Sequence, residues 1–212
     1  MSNINLIDLL IKEGWLKNPE IIKAFKKIKR KDFLPEDLKN LSELNQALPI
    51  GFDQTISQPL VVAFMLEKLN PKKGEKILDI GSGSGWTTAL LSEIVGGKGK
   101  IIAIELIKEL MEFGRSNVEK YGFVSKGIAS FFCADGSKGF KKEAPFDKIL
   151  CSAAAQKEIP LSLKKQLKRE GRIVIPINSS IWLFVKKFSA GGKDSFEEIE
   201  FPGFSFVPLI EK

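Results

Sequence analysis

The sequence predicts an α/β fold: a doubly wound, mostly parallel seven-stranded sheet with helices on both faces, antiparallel strands at its C-terminal edge and an N-terminal helical extension. Three observations predict it. From residue 59 onward, short runs rich in Ile, Leu and Val alternate with helix-length segments, at the spacing of β-α-β crossovers. A glycine-rich turn, ILDIGSGSGW, joins the first of these runs to its helix, the point at which open sheets place their ligands. Beyond residue 180 the helical pattern stops, and two apolar runs separated by a polar stretch read as an antiparallel edge pair.

Each element has a local reason. Leu6, Leu9, Leu10 and Trp15 mark a short amphipathic helix. Asn18-Pro19-Glu20 is a cap with proline at the first helical position, and Ile21, Ile22, Phe25 and Ile28 form the stripe of a second helix. The lysine-rich KKIKRKD that follows reads as a solvated face, with a phosphate-binding patch as the alternative. Residues 33–49 show no sustained period and read as a loop or a short helical turn draped over the main domain. The polar stretch GFDQTISQP leads into a helix from Pro59 to Leu69, with the proline in its first turn. Then follow strand KILDIG, helix Trp86–Val95, strand KIIAIE, a helix from about Ile107 to Tyr121, a strand near Ile128 to Cys133, strand FDKILCS, a helix from Pro160 to Lys168 and strand RIVIPI. IWLFVKKF and FSFVPLI are the expected edge pair, linked by SAGGKDSFEEIEFPG. Residues 1–58 thus read as a helical extension and lid, and 59–212 as the ligand-binding domain.

Composition narrows the chemistry. A chain of 212 residues buries roughly 70% of its unfolded surface and needs no metal or disulfide to fold. It contains no histidine, which removes Ser-His-Asp and Cys-His schemes and most zinc hydrolases; no metal is expected. Cys133 and Cys151 each lie in an apolar run and read as buried thiols of a reducing compartment. The amino terminus has no basic region followed by a long apolar core, and no run approaches the ~20 apolar residues of a membrane span, so a cytoplasmic protein without membrane association is expected. The net charge of +7 raises an anionic partner such as RNA, although charge bears on association rather than on chemistry.

The glycine turn carries the strongest chemical signal. Gly81, Gly83 and Gly85 let the backbone approach a ligand, Asp79 precedes them at the strand end, and Trp86 stands where a dinucleotide fingerprint would have its third glycine. That pattern suits an adenosine with a charged amino-acid tail better than a pyrophosphate, and no GK[ST] completes a P-loop. Glu105, closing the next strand, is placed to accept both ribose hydroxyls. Asp135, after the third strand, is placed for an adenine amino group, and SAAAQ after the fourth leaves room for a flat ring or the reacting end of a cosubstrate. The constellation is that of S-adenosylmethionine binding, with S-adenosylhomocysteine as product. A carboxylate acceptor, ionised at its reference pKa near 4, needs no general base, so a histidine-free chain is no obstacle.

The segments LPIGFDQTISQPLVVAFMLEKL, ILDIGSGSGWTTALLSEIV, IAIELIKEL, APFDKILCSAAAQKEIP, EGRIVIPI and the terminal FVPL resemble the protein-L-isoaspartate O-methyltransferase family over nearly the whole chain. The resemblance implies a Rossmann-like methyltransferase fold. It also implies methylation of the α-carboxylate of L-isoaspartyl residues in age-damaged proteins and peptides, whose ester collapses to a succinimide. It implies Ser57 as the hydroxyl beside the reacting carboxylate, with Thr55, Ile56, Gln58, Val207 and Pro208 around the peptide. Gly81, Gly83, Gly85 and Asp79 are implied on the methionine side, Glu105 at the ribose, and Asp135 with Gly136 at the adenine; a nucleic-acid partner is not implied. Asp53 stands where the family usually has glycine, Trp86 for a common tyrosine and Asp79 for a common glutamate. On the residues alone two other readings stay open: a methyltransferase for RNA or another acceptor, and a cofactor-binding homologue without turnover.

Overall fold

A computed structural model describes residues 5–188 and 194–210. Two capped helices open it. In α1 (Leu6–Lys12) the Asn5 side chain accepts from the Asp8 N–H, and in α2 (Pro19–Lys27) Asn18 accepts from the Glu20 N–H with Pro19 behind it, each satisfying a donor that helix geometry orphans. The stretch read as a loop or a short helical turn holds the 3₁₀ turn Glu36–Leu41. A second such turn, Arg30–Phe33, leads into it, and a hairpin of β1 (Leu48–Gly51) and β2 (Gln54–Ile56), which the sequence pattern does not announce, leads out of it. Helix α3 (Pro59–Leu69) ends on Asn70 at φ 52°.

The seven-stranded sheet has the order β5-β4-β3-β6-β7-β8-β9, where β3 is Lys76–Ile80, β4 Lys100–Glu105, β5 Ala129–Cys133, β6 Phe146–Cys151, β7 Leu167–Ile177, β8 Ser180–Phe188 and β9 Asp194–Pro202. Strands β5 to β7 pair in parallel and β7-β8-β9 are antiparallel. Helices α4 (Trp86–Val95), α5 (Lys108–Glu119) and α6 (Leu161–Gln166) supply the crossovers. The chain leaves β3 toward β4 on one side and returns through β6 on the other, so its loops part at the carboxyl end of β3.

The strand alternation explains the two-sided core. Ile77, Ile101 and Leu150 face one cluster, with α3, α4, α5 and the buried side chains of the N-terminal segment, among them Leu10, Ile21, Phe25 and Phe33. Leu78, Ile80, Ile102, Ile104 and Ile149 face the other, with Phe146 and Leu163 of α6. No helix among the described residues is long and apolar enough to cross a membrane.

Three expectations are corrected. The edge partner of β8 is Asp194–Pro202, inside the stretch read as a linker, because its alternation puts Phe196 on one face and Phe201 on the other despite four acidic neighbours; residues 189–193 of that stretch lie outside those described. FSFVPLI forms no edge strand. Its Phe204 stacks on Phe64 at 5.3 Å, and the chain then crosses the sheet's carboxyl edge, where Pro208 bridges Ala154. Cys133 is exposed at the end of the edge strand β5, whereas Cys151 is buried, and that burial pushes its thiol pKa up to about 12.

Candidate active site

A cleft of about 960 Å³, partly open to solvent, lies over the carboxyl ends of β3, β4 and β6, between the β1–β2 hairpin and the Val207–Ile210 segment. The hairpin reaches the glycine loop directly. Pairing slips between Pro49 and Gly51, leaving Ile50 as the extra residue, and such a bulge re-aims a side chain. Ile50 is buried, and its Cδ1 would lie 3.3 Å from a Cβ added to Gly83, itself at φ 50°.

Glu105 forms the opposite wall. Its Oε2 accepts from the Gly83 N–H at 2.9 Å, and its Oε1 from the N–H groups of Leu106 and Ile107 at 2.8 and 3.1 Å. Three backbone donors hold the carboxylate in place and leave it lone-pair capacity for a ligand hydroxyl. Ser82, between the glycines, lines the cleft with its buried hydroxyl unpartnered; a buried donor without a partner is what a polar ligand would satisfy. Ser152 and Ala153, following β6, floor the cleft with small side chains.

On the hairpin side, Thr55, Ile56 and Ser57 line the cleft, and the Ser57 hydroxyl has no hydrogen-bond partner among the described residues. Val207 and Pro208 line it from across. They are fixed by Ala154, whose N–H donates to the Val207 carbonyl at 2.8 Å and whose carbonyl accepts from Leu209 at 2.7 Å.

The cleft therefore gathers Thr55, Ile56, Ser57, Gly81, Gly83, Glu105, Gly136, Val207 and Pro208. Four residues expected there are not part of its lining. Asp79 is fully buried below it, where Oδ2 accepts from Thr87 and Thr88 at 3.0 and 2.6 Å while Oδ1 has no partner. Burial pushes its carboxyl up to about 6, against the two hydroxyls that lower it. Gly85 meets α5 rather than a ligand: a Cβ there would stand 2.7 Å from the Gly114 carbonyl and 2.9 Å from Val118. Asp135 caps the turn Gly136–Lys138, accepting from Ser137 N–H and hydroxyl at 2.9 and 2.6 Å. Gln58 turns toward the Asn45 carbonyl, which accepts from its Nε2 at 2.9 Å.

Sequence reasoning missed Ile50, Ser82 and Leu106, all of the cleft lining. Ser82 had a legible signal in its place between Gly81 and Gly83, but Ile50 depends on a bulge that no residue type announces. Glu105 is the cleft's one charged side chain among the described residues; no lysine or arginine lines it. The lysine-rich run lies elsewhere, with Lys26 and Lys29 lining a different cavity beside α1. No cluster of three or more His, Cys, Asp or Glu side chains among the described residues could hold a metal ion.

A family model described as protein-L-isoaspartate(D-aspartate) O-methyltransferase matches residues 1–212. A Methanopyrus kandleri protein-L-isoaspartate O-methyltransferase is 38% identical over 209 residues, covering 97% of this chain and 89% of that one. Among solved structures, a protein-L-isoaspartate O-methyltransferase superposes with a TM-score of 0.85 at 28% identity, covering 97% of this chain and 65% of that longer one. A Plasmodium falciparum structure, described as such an enzyme in complex with S-adenosyl-L-homocysteine, shares the fold at a TM-score of 0.81 and 21% identity, covering 98% and 97% of the two chains.

Proposed function

The chain belongs to the protein-L-isoaspartate(D-aspartate) O-methyltransferase family, and from that premise we infer that its cleft transfers a methyl group from S-adenosylmethionine to the α-carboxylate of L-isoaspartyl residues. The observation that carries the reading is the meeting of Ser57, the glycine loop with Glu105, and Val207–Pro208 on one cleft. The residues present fit the cosubstrate. The unpartnered Ser82 hydroxyl and the start of α4 suit its amino-acid end, Glu105 its ribose, and Ala134 with Gly136 its base. Bound there, S-adenosylmethionine supplies a methyl group already activated by its sulfonium.

What remains for the protein is alignment and exclusion of water. The substrate carboxylate is ionised at neutral pH and needs no base. Ser57 donates a hydrogen bond to one of its oxygens and turns the other toward the methyl group, with no covalent role. The absence of a lysine or arginine from the described lining leaves the carboxylate's charge, and so its nucleophilicity, unquenched. It also weighs against an RNA acceptor, whose phosphates call for cations. Main-chain groups of the Val207–Pro208 segment suit a substrate defined by a misplaced backbone bond, as in strand-like peptide capture. Methylation gives the carboxyl carbon a methoxide leaving group that the free carboxylate lacks, so the nitrogen of the following backbone amide attacks it, gives up its proton and expels methanol; water can reopen the resulting succinimide as normal aspartate. Its partners are age-damaged proteins and peptides met in the cytoplasm.

The test is methyl transfer to an isoaspartyl peptide against its aspartyl twin. Transfer to the first alone supports the reading; equal transfer to both, or to RNA instead, defeats it. Ser57→Ala is expected to lower kcat by about 10- to 100-fold, the scale of a lost positioning contact, with S-adenosylhomocysteine affinity held within about threefold. Equal losses in rate and affinity would remove Ser57 from the role.

A further inference from the structure

Arg30 sits in the lysine-rich run KKIKRKD, yet it is the one basic residue of that run that is buried, at 6% exposed. No carboxylate lies within ion-pair distance of it among the described residues. Its guanidinium instead collects carbonyls: Nη1 donates to Ser42 and Leu44 at 3.2 and 3.0 Å, Nη2 to Gln46 and Ser57 at 2.8 and 3.3 Å. Its plane sits 5.4 Å from the centre of the Trp86 ring, and Trp86 borders the cleft at the start of α4. Burial draws its pKa down to about 10, which leaves it protonated at neutral pH.

The residues around Arg30 make it a fixed post. Lys29 donates its N–H to the Tyr121 hydroxyl at 2.9 Å, that hydroxyl donates to Asp32 at 2.6 Å, and Phe33 stacks on the Tyr121 ring. On the far side, the Asn45 side chain accepts from the Leu60 N–H at 3.0 Å and its carbonyl from Gln58. Two hydrogen bonds through Asn45 thus join residues 42–46 to 57–60, and Arg30 ties both segments to the post. Taking a cation out of water is costly, and Glu43, beyond ion-pair distance, offsets only part of that cost. Four carbonyls from two loops, met by one rigid fork that a lysine cannot imitate, are the return for it.

We propose that Arg30 is a positioning residue for methyl transfer, fixing through the carbonyls of Ser42, Leu44, Gln46 and Ser57 the backbone from which Ser57 presents its hydroxyl to the substrate. The proposal rests on the role given to Ser57 above. It acts on rate more than on cofactor binding: the contact of Gly83 with Glu105 is made without it, and its one link to the cofactor side is the face of the Trp86 ring.

The experiment measures kcat with an isoaspartyl peptide and calorimetric affinity for S-adenosylhomocysteine in Arg30→Met, Arg30→Lys, Ser57→Ala and the Arg30→Lys/Ser57→Ala pair. Both Arg30 variants are expected to lose about 10- to 100-fold in kcat with affinity kept within about threefold. In the Ser57→Ala background, Arg30→Lys is expected to cost less than about threefold more, because residues acting as a unit are not additive. Should Arg30→Met fail to fold, Arg30→Lys carries the test: it keeps charge and stem and loses only the fork. An unchanged kcat in Arg30→Lys, losses that multiply in the pair, or an affinity that falls in step with rate would each overturn the proposal. A Ser57→Ala variant with undiminished kcat overturns the Ser57 role and this proposal together; a Ser57 defect beside a normal Arg30→Lys overturns this proposal alone.

Discussion

The two halves of the cleft are built in opposite ways. The half proposed to hold the cofactor is part of the sheet's core: Glu105 and Ser82 are buried, Asp79 is fully so, and the glycine loop is pressed between Ile50 and α5. The half proposed to hold the peptide lies outside the sheet. It consists of a short hairpin whose loop residues Phe52 and Asp53 are exposed and both at φ 54°, and a coil tied to Ala154 by two hydrogen bonds. Geometry is stored in packing on one side and in a few backbone bonds on the other. Substitutions should therefore alter stability and cofactor affinity in the first half, and rate in the second.

The sharpest way to break that contrast is Gly85→Ala. The added methyl meets the Gly114 carbonyl at 2.7 Å and requires φ 90° of a non-glycine residue, so we expect a loss of about 2–4 kcal/mol in denaturant melts, and weakened S-adenosylhomocysteine binding with it. A variant of normal stability would mean that the loop yields and is not packed as described. Next is the buried acid. Asp79 titrates near 6 folded and near 4 unfolded. A raised acid pKa favours the folded state most when protonated, so its contribution is whole below about pH 4 and lost as pH rises to about 6. The stability of the wild type minus that of Asp79→Asn is expected to fall by on the order of 3 kcal/mol across that window. A flat difference would place the carboxyl in water.

Glu105→Gln sharpens the contrast in affinity. Both carboxylate oxygens accept from backbone N–H groups, so an amide NH₂ must face a donor in either orientation. S-adenosylhomocysteine affinity should drop by about 10- to 100-fold, the cost of a lost bond to a charged group, while a change below about twofold would show the wall to be dispensable. The smallest effect belongs to the lid. Asp53→Gly relieves a left-handed residue and should stabilise by about 1 kcal/mol or less, with peptide KM changed less than about twofold. Asp53 is exposed at the hairpin loop and absent from the cleft lining, so a large change in KM would show that the loop reaches substrate.

The same contrast explains what could be read from the residues. Strand and glycine signals are local, so the sheet, the Gly81–Gly83 approach and the acid closing β4 were legible. Asp79 and Gly85 were recognised as part of the motif but for the wrong reason, because burial and the approach of α5 arise from distant segments. The hairpin was hidden by its Phe-Asp loop, which lacks the Asn-Gly signature of turns at positive φ. Charge hid β9, whose Phe196 and Phe201 alternate within a run of glutamates, and proline-broken FSFVPLI took its place. Arg30 looked like its lysine neighbours, since nothing in a basic run tells which member turns inward.

The attachment of Val207 and Leu209 to Ala154 has a consequence for proteolysis. A chain cut ahead of Phe206 would keep the glycine loop, Glu105 and Ser57 while shedding the far bank of the peptide groove. Such a fragment would sequester cosubstrate without spending it.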